Sequence, residues 1–221
     1  MPFDRASFAH MGASWTTIAG LAEADGSGNH ATVLALGKPQ AAARDIADAV
    51  HLLCMLHGHL PGVLDHAAGR NRLPAAQGWL EESVEAFAIE RALLARLASA
   101  AGPLPSTPGQ AESEATVVAQ RHALEMLSQS DRTGCAIGGA VALVVDWEAI
   151  RTVLDTAADR FGFTAPAARL PHLAETATLV AAAADTPAAE RAMAFGAQQV
   201  LAQHRGLWNL LDARASARNQ N

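Results

Sequence analysis

The amino-acid sequence predicts an all-α fold, organised as a single-domain bundle of about six to seven helices. Alanine is abundant, alternation of β-branched residues is rare, and apolar residues recur at three- and four-residue spacing. This spacing is typical of helices that bury one apolar face. Half of the 221 residues are apolar, so the chain is able to bury a sizeable core. We therefore treat residues 1–221 as one all-α domain.

The N-terminal segment, residues 1–40, is predicted to contain one helix followed by an irregular stretch. Phe8, Trp15 and Ile18 line one face of this first helix. The helix is expected to end at the turn-forming residues from Asp25 to Asn29. The sequence HATVLALG that follows is ambiguous between helix and loop.

The main bundle is predicted to occupy residues 41–221. Its first helix spans about Ala41 to Leu60 and is ended by the pair Pro61-Gly62. The next helix runs from about Gln77 to Ala100. The sequence GPLPSTPG follows it, and its three prolines predict a stiff surface connection.

The C-terminal half of the bundle leaves one boundary open. A helix that begins near Gln110 either continues to Phe161 or breaks near Asp146, which would then cap a new helix. Two further helices are predicted, over about residues 166–184 and 187–213. Each has a proline near its start, where the missing N–H costs little.

Composition argues against several classes of partner. Asp and Glu outnumber Lys and Arg by 22 to 16, so there is no basic field to attract nucleic acid. The uncharged stretch over residues 133–145 is shorter than the roughly 20 residues that cross a bilayer, so we expect no membrane span. The start MPFDRASFAH lacks the apolar stretch of a signal peptide, which favours a cytoplasmic location.

Three ionisable residues fall on helix faces that are otherwise apolar. Glu90 shares its face with Ala86 and Leu93, and His57 lies on a helix that is apolar around most of its circumference. His204 interrupts a heptad-like seam that runs from Met193 to Leu211. A buried ionised group costs several kcal/mol if it is left unpaired, so each of the three needs a partner.

Two arrangements of these residues remain open. In the first, Glu90 and the histidines form a buried hydrogen bond that fixes the register of the bundle, or His204 lies at the seam of a homodimer. In the second, Glu90, His57 and His204 ligate iron or another divalent metal inside the bundle. The seam and the frequency of two-fold symmetric oligomers favour a homodimer.

The pairs His122-x-x-Glu125 and His172-x-x-Glu175 have the spacing of metal ligands on a helix. Both pairs lie away from the apolar stripes of their helices. We therefore predict that they are solvated surface residues.

A glycine pattern, Gly134-x-x-x-Gly138-Gly139, lies within a segment predicted to be a buried helix. Glycines inside a helix are costly, so they predict that another group approaches the helix backbone closely. The usual neighbour is a second helix, and the less common one is a flat cofactor or substrate. If a ligand pocket is present, the glycines and two polar residues near the same stripe, Gln120 and Asp131, are expected to line it.

The segment GCAIGG, with its continuation GGAV, resembles the distal helix of bacterial heme oxygenases. This resemblance implies a heme-oxygenase-like or ferritin-like architecture, which is shared by haem-degrading, thiaminase-like and non-haem iron proteins. The family's haem-degrading members need a proximal histidine on the first helix. His10 is available, but it faces away from the Phe8 and Trp15 stripe, so iron or another divalent metal is favoured over haem.

These observations predict a helical-bundle protein with an interior metal- or ligand-binding pocket, either an oxidoreductase or a binder of a small molecule. The alternative is a non-catalytic homodimeric interaction protein in which Glu90, His57 and His204 are structural polar residues. The sequence contains no GxSxG, GxxxxGK[ST] or HExxH motif that would identify a reaction.

Overall fold

A computed structural model describes residues 12–220 of the chain. These residues form nine α-helices and two short 3-10 helices, at Ser27–Asn29 and Pro74–Ala76, and contain no strand. The all-α prediction is therefore confirmed. In chain order the helices are α1 (Ala13–Asp25), α2 (Ala31–Leu36), α3 (Ala43–His57), α4 (Val63–Arg70), α5 (Gln77–Ala101), α6 (Gln110–Ser128), α7 (Cys135–Arg160), α8 (Leu173–Ala183) and α9 (Pro187–Asn219).

The helix count exceeds the six to seven predicted because two short helices were not foreseen. The ambiguous HATVLALG segment forms α2, and the side chain of His30 caps it by accepting a hydrogen bond from the backbone N–H of Thr32 at 3.2 Å. Helix α4 follows the Pro61-Gly62 pair. It begins where the Asp65 carboxylate accepts a hydrogen bond from the backbone N–H of Gly62 at 2.8 Å. Local side-chain caps thus start helices that are too short to show apolar periodicity.

The region from residue 110 to residue 161 forms two helices, but the break is not near Asp146. Helix α6 ends at Ser128 and α7 begins at Cys135. Gly134 precedes α7 with φ of 90°, a left-handed conformation that favours glycine. Both predicted alternatives for this boundary were wrong, since Asp146 lies in the middle of α7.

The boundaries of the last two helices also differ from the prediction. Helix α8 begins at Leu173, where the Glu175 carboxylate accepts a hydrogen bond from the backbone N–H of His172. The spacing of His172 and Glu175 is therefore that of a helix cap. Helix α9 extends to Asn219. At the other end of the chain, Phe8 and His10 lie outside the described residues.

Helices α7 and α9 form the centre of the bundle, and their backbones approach closely. A Cβ atom on Gly138 would overlap the backbone carbonyl of Met193, and one on Gly196 would overlap the carbonyl of Cys135. Glycine on both helices is what allows this approach. Apolar side chains of the other helices surround the pair.

A buried ion-pair network joins α3, the proline-rich connection and the end of α9. Asp48 accepts two hydrogen bonds from Arg214, at 2.7 and 2.8 Å, and one from Arg218 at 2.7 Å. Asp48 and Arg214 are both buried. Both arginines also donate to the hydroxyl of Thr107, which attaches the predicted connection to the bundle.

Within residues 12–220 no helix has both the length and the apolar character needed to cross a membrane.

Candidate functional site

Four polar residues form one continuous hydrogen-bonded chain through the centre of the bundle. The Oγ of Ser27 donates to Oδ2 of Asp146 at 2.5 Å, and Nδ1 of His204 bonds the same oxygen at 2.6 Å. The Nε2 of His204 lies 2.9 Å from Nε2 of His57. All four residues are buried, and we refer to Asp146, His204 and His57 as the relay.

The packing of α7 against α9 positions Asp146 and His204. Gly134, just before α7, is followed at four-residue steps by Gly138, Ala142 and Asp146 within the helix, so Asp146 continues the small-residue strip that faces α9. His204 lies on the seam of α9 that faces this strip. The close approach of the two backbones therefore brings a carboxylate and an imidazole together in a dry interior.

The 3-10 helix Ser27–Asn29 completes the surroundings of Asp146. The backbone N–H of Ser27 donates to Oδ1 of Asp146 at 2.7 Å. A Cβ atom on Gly26 would lie 2.8 Å from the same oxygen, so glycine leaves room for the approach. The indole N–H of Trp208 donates to Oγ of Ser27 at 2.8 Å, which orients the hydroxyl toward Asp146.

The two ends of the relay differ in charge. Burial alone would raise the pKa of Asp146, but the hydrogen bonds from His204 and Ser27 outweigh it and hold that pKa below its ordinary value. Burial, together with repulsion from His204, lowers the pKa of His57 well below its ordinary value. Asp146 is thus kept ionised, and His57 is kept neutral.

Hydrogen-bond chemistry restricts the protons of the relay to two arrangements. With one proton on each ring, Nδ1 of His204 donates to Asp146, Nε2 of His57 donates to His204, and Nδ1 of His57 keeps a lone pair. With one proton more, His204 is an imidazolium that donates to both neighbours, and Nδ1 of His57 carries the added proton. A proton taken up at His57 therefore places its charge on His204, beside Asp146.

A small cavity opens beside His57 between α3, α4, α5 and α6. It is about the size of one water molecule. Because Nε2 of His57 bonds His204, Nδ1 is the ring nitrogen left to meet a ligand there. The residues that line the cavity are Leu56, His57, His59, Gly62, Val63, Phe87, Leu124 and Glu125.

His59 and Glu125 supply the polar part of this cavity. Nε2 of His59 lies 3.3 Å from Oε1 of Glu125. Burial and the neighbouring Arg121 lower the pKa of His59, although Glu125 opposes the change. His122 is exposed, as predicted, whereas Glu125 is half-buried because it turns toward His59.

Glu90 is buried as predicted, but its partners are on α7. Its Oε1 accepts a hydrogen bond from Arg151 at 2.7 Å, and its Oε2 accepts one from the indole N–H of Trp147 at 3.0 Å. Trp147 also packs edge-on against His57, with 5.4 Å between ring centroids. Glu90 thus lies near the relay without joining it.

The predicted metal set of Glu90, His57 and His204 is not formed. Both oxygens of Glu90 are occupied by Arg151 and Trp147, and the facing nitrogens of the two histidines bond each other. In the described residues, no three His, Cys, Asp or Glu side chains are arranged to hold a metal ion. The alternative hydrogen bond between Glu90 and a histidine is not formed either, because His57 bonds His204 and Glu90 pairs with Arg151.

The predicted ligand pocket is also not formed by its named residues. The backbone of α9 fills the strip of Gly134 and Gly138, while side chains of α6 and α9 cover Gly139. Gln120 is buried and donates to the backbone carbonyl of Gln203 at 3.1 Å. Asp131 is fully exposed in the connection between α6 and α7, where it pairs with Arg70.

The seam of α9 is not available to a symmetry mate. His204 and the apolar residues from Met193 to Leu211 on that face are buried within the chain, mainly against α7. The prediction that this seam forms the interface of a homodimer was therefore wrong. A homodimer would have to use another surface.

A protein-family model described as "Family of unknown function (DUF6975)" matches residues 22–219. The chain belongs to this family. The match includes every residue of the relay, together with Ser27 and Glu90. No curated protein and no solved structure matched the chain.

Sequence reasoning missed Asp146 and Ser27 as members of this site. Asp146 was assigned a role in only one of two open alternatives, as the cap of a new helix. The four-residue spacing of Gly134, Gly138 and Ala142 nevertheless reaches Asp146 at the next step. Ser27 lies in a Gly-Ser-Gly sequence that is typical of a turn. Its role depends on Trp208, which is distant in the chain, so no local signal identifies it.

Proposed function

We propose that this protein is an enzyme of the general acid–base type, in which His57 removes a proton from a water molecule in the adjoining cavity. One observation carries the proposal. His57 lines the cavity while its Nε2 is bonded, through His204, to the ionised Asp146. This arrangement leaves Nδ1 of His57 as the atom that meets the water molecule.

The relay resolves a difficulty that a buried base would otherwise face. A lone imidazole in a dry site is a weak base because its cation has lost the stabilisation of water. In the relay, Nδ1 of His57 accepts the proton and its Nε2 proton moves to His204. The positive charge then lies beside the Asp146 carboxylate, 2.6 Å away, where it is stabilised.

The size of the cavity favours water as the proton donor. A space for one water molecule next to His57 supports hydrolysis, in which His57 takes a proton from water as the oxygen attacks an electrophilic carbon. The proton then passes from His57 to the leaving group, which restores the starting arrangement. His59 and Glu125 at the same cavity are further polar groups that can hydrogen-bond this water molecule.

A metal-dependent oxidoreductase would require ligands other than the predicted three, because Arg151 and Trp147 engage Glu90. In the alternative to our proposal, the relay is a structural polar core without catalysis. The catalytic rates of the matched variants below distinguish the two.

Replacement of His57 by glutamine is expected to abolish hydrolysis of p-nitrophenyl acetate, a small ester used here as a general probe. General-base catalysis contributes about 100-fold or more in rate, so a loss of that order is expected. The measurement is the release of p-nitrophenolate above the buffer rate. His122→Gln removes an exposed imidazole and should retain the wild-type rate. Equal rates for wild type and His57→Gln, including no rate above buffer in either, would contradict the proposal.

Replacement of Asp146 by asparagine should shift the pH dependence of the same reaction. Asp146 stabilises the cationic form of the relay, so its loss should move the apparent pKa of the rate profile to lower pH. The maximum rate should also fall because the charge formed on His204 loses its partner. A profile that keeps its midpoint in folded Asp146→Asn would show that the carboxylate has only a structural role.

A further inference from the structure

A second and larger cavity reaches the opposite end of the relay. It is a cleft of about 470 Å³ between α1, α2, the first 3-10 helix and α7. This volume is in the range of small-molecule sites. Asp146 is one of the lining residues, so the relay connects the two cavities. The residues that line the cleft are Ala22, Glu23, Gly28, Asn29, Val33, Leu34, Gly37, Val145, Asp146, Glu148, Ala149 and Thr152.

The lining of this cleft combines negative charge with an apolar wall. Glu23, Asp146 and Glu148 are its acidic members, and none of the lining residues within the described part of the chain is Lys, Arg or His. Val33 and Leu34 are apolar, and the side chain of Leu34 is largely exposed. A ligand that matches both features carries a positive charge and a short apolar body.

We propose that the cleft binds a small organic cation, an alkylammonium compound whose protonated amine meets the carboxylates and whose alkyl chain contacts Leu34. An inorganic cation would leave the apolar wall unused, and an anion would be repelled by three carboxylates. Binding in the cleft stands on the geometry of this second cavity and does not depend on the proposed function.

Asp146 links the cleft to His57 through the hydrogen bonds of the relay. Its side chain is only slightly exposed, and its oxygens are held by Ser27 and His204 while it lines the cleft. A cation next to Asp146 competes with His204 for the negative charge of the carboxylate, which weakens the hydrogen bond from Nδ1 of His204. Occupancy of the cleft is therefore expected to change the NMR signal of that bonded proton.

The test is an NMR titration of the full chain with n-butylammonium chloride and, separately, with n-butanol as a neutral probe of similar shape. The expected result is a saturable shift of the backbone amide signals of Val33 and Ala149 with butylammonium. Affinity for n-butanol should be about threefold to fivefold weaker, the effect of losing one partly exposed ion pair. The proton on Nδ1 of His204 should shift in the same titration.

Two variants and a control locate the site. Glu148→Gln should weaken butylammonium binding about threefold to fivefold. Leu34→Ala should weaken binding of both probes by a similar factor through the loss of apolar contact. Glu82→Gln removes an exposed carboxylate on α5, outside the cleft, and should bind like the wild type. Equal affinity for the two probes, no saturable shift, or an equal loss in Glu82→Gln would overturn the proposal. Loss of esterase activity would not affect this result, since binding is measured directly.

Discussion

Replacement of Gly138 by alanine is expected to lower the free energy of unfolding by about 3 kcal/mol or more. The new Cβ would overlap the backbone carbonyl of Met193 on α9. A backbone atom in a central helix has little freedom to move away, so α7 and α9 must separate. The separation would also disturb the hydrogen bond between Asp146 and His204. Denaturant-induced unfolding, followed by circular dichroism, measures the change.

Gly20→Ala is the matched control for this substitution. Gly20 is an exposed residue within α1, and a Cβ atom there would meet nothing within 4 Å. Because alanine favours a helix over glycine, this variant should be more stable than the wild type by about 0.5–1 kcal/mol. The two glycine-to-alanine changes are therefore expected to have opposite signs. An unchanged stability of Gly138→Ala would contradict the close approach of α7 and α9.

Replacement of Asp48 by alanine is expected to cost about 3–5 kcal/mol of stability. The change leaves Arg214 in the interior without its carboxylate and removes a partner of Arg218. Both Asp48 and Arg214 are buried, so water cannot replace the lost charge. Thermal and denaturant unfolding of the purified variant measure the loss.

Asp131→Ala provides the comparison for Asp48→Ala. Asp131 pairs with Arg70 at 3.3 Å, but the Asp131 side chain is fully exposed. Solvent screens such a pair, so this variant should be as stable as the wild type. A similar loss of stability in both variants would show that the burial of the Asp48 network does not determine how much it stabilises the protein.

The sequence predicted the burial of Glu90, His57 and His204 but not their partners. Helical periodicity gives the direction of a side chain around its own helix axis. It does not show which helices are neighbours. The predicted convergence on a metal therefore failed at Glu90, whose partner Arg151 lies on α7.

The glycines of α7 show how one pattern supported both a correct and an incorrect interpretation. A close neighbour was required, and a second helix, α9, is that neighbour. Gly134 was placed inside a helix, however, whereas it precedes α7 in a left-handed conformation. The polar residues 128–134, SQSDRTG, span this break, so the signal that locates it is turn chemistry and not helical periodicity.

The most direct test of the relay is an NMR measurement of the imidazole nitrogens of His57 and His204 from about pH 5 to about pH 8, the range in which histidines titrate. We expect Nδ1 of His204 to remain protonated throughout, with its proton shifted strongly downfield by Asp146. His57 should remain neutral over this range, because burial and repulsion from His204 hold its pKa well below its ordinary value. A His57 ring that becomes an imidazolium cation near pH 6, or an Nδ1 of His204 without a proton, would contradict the relay.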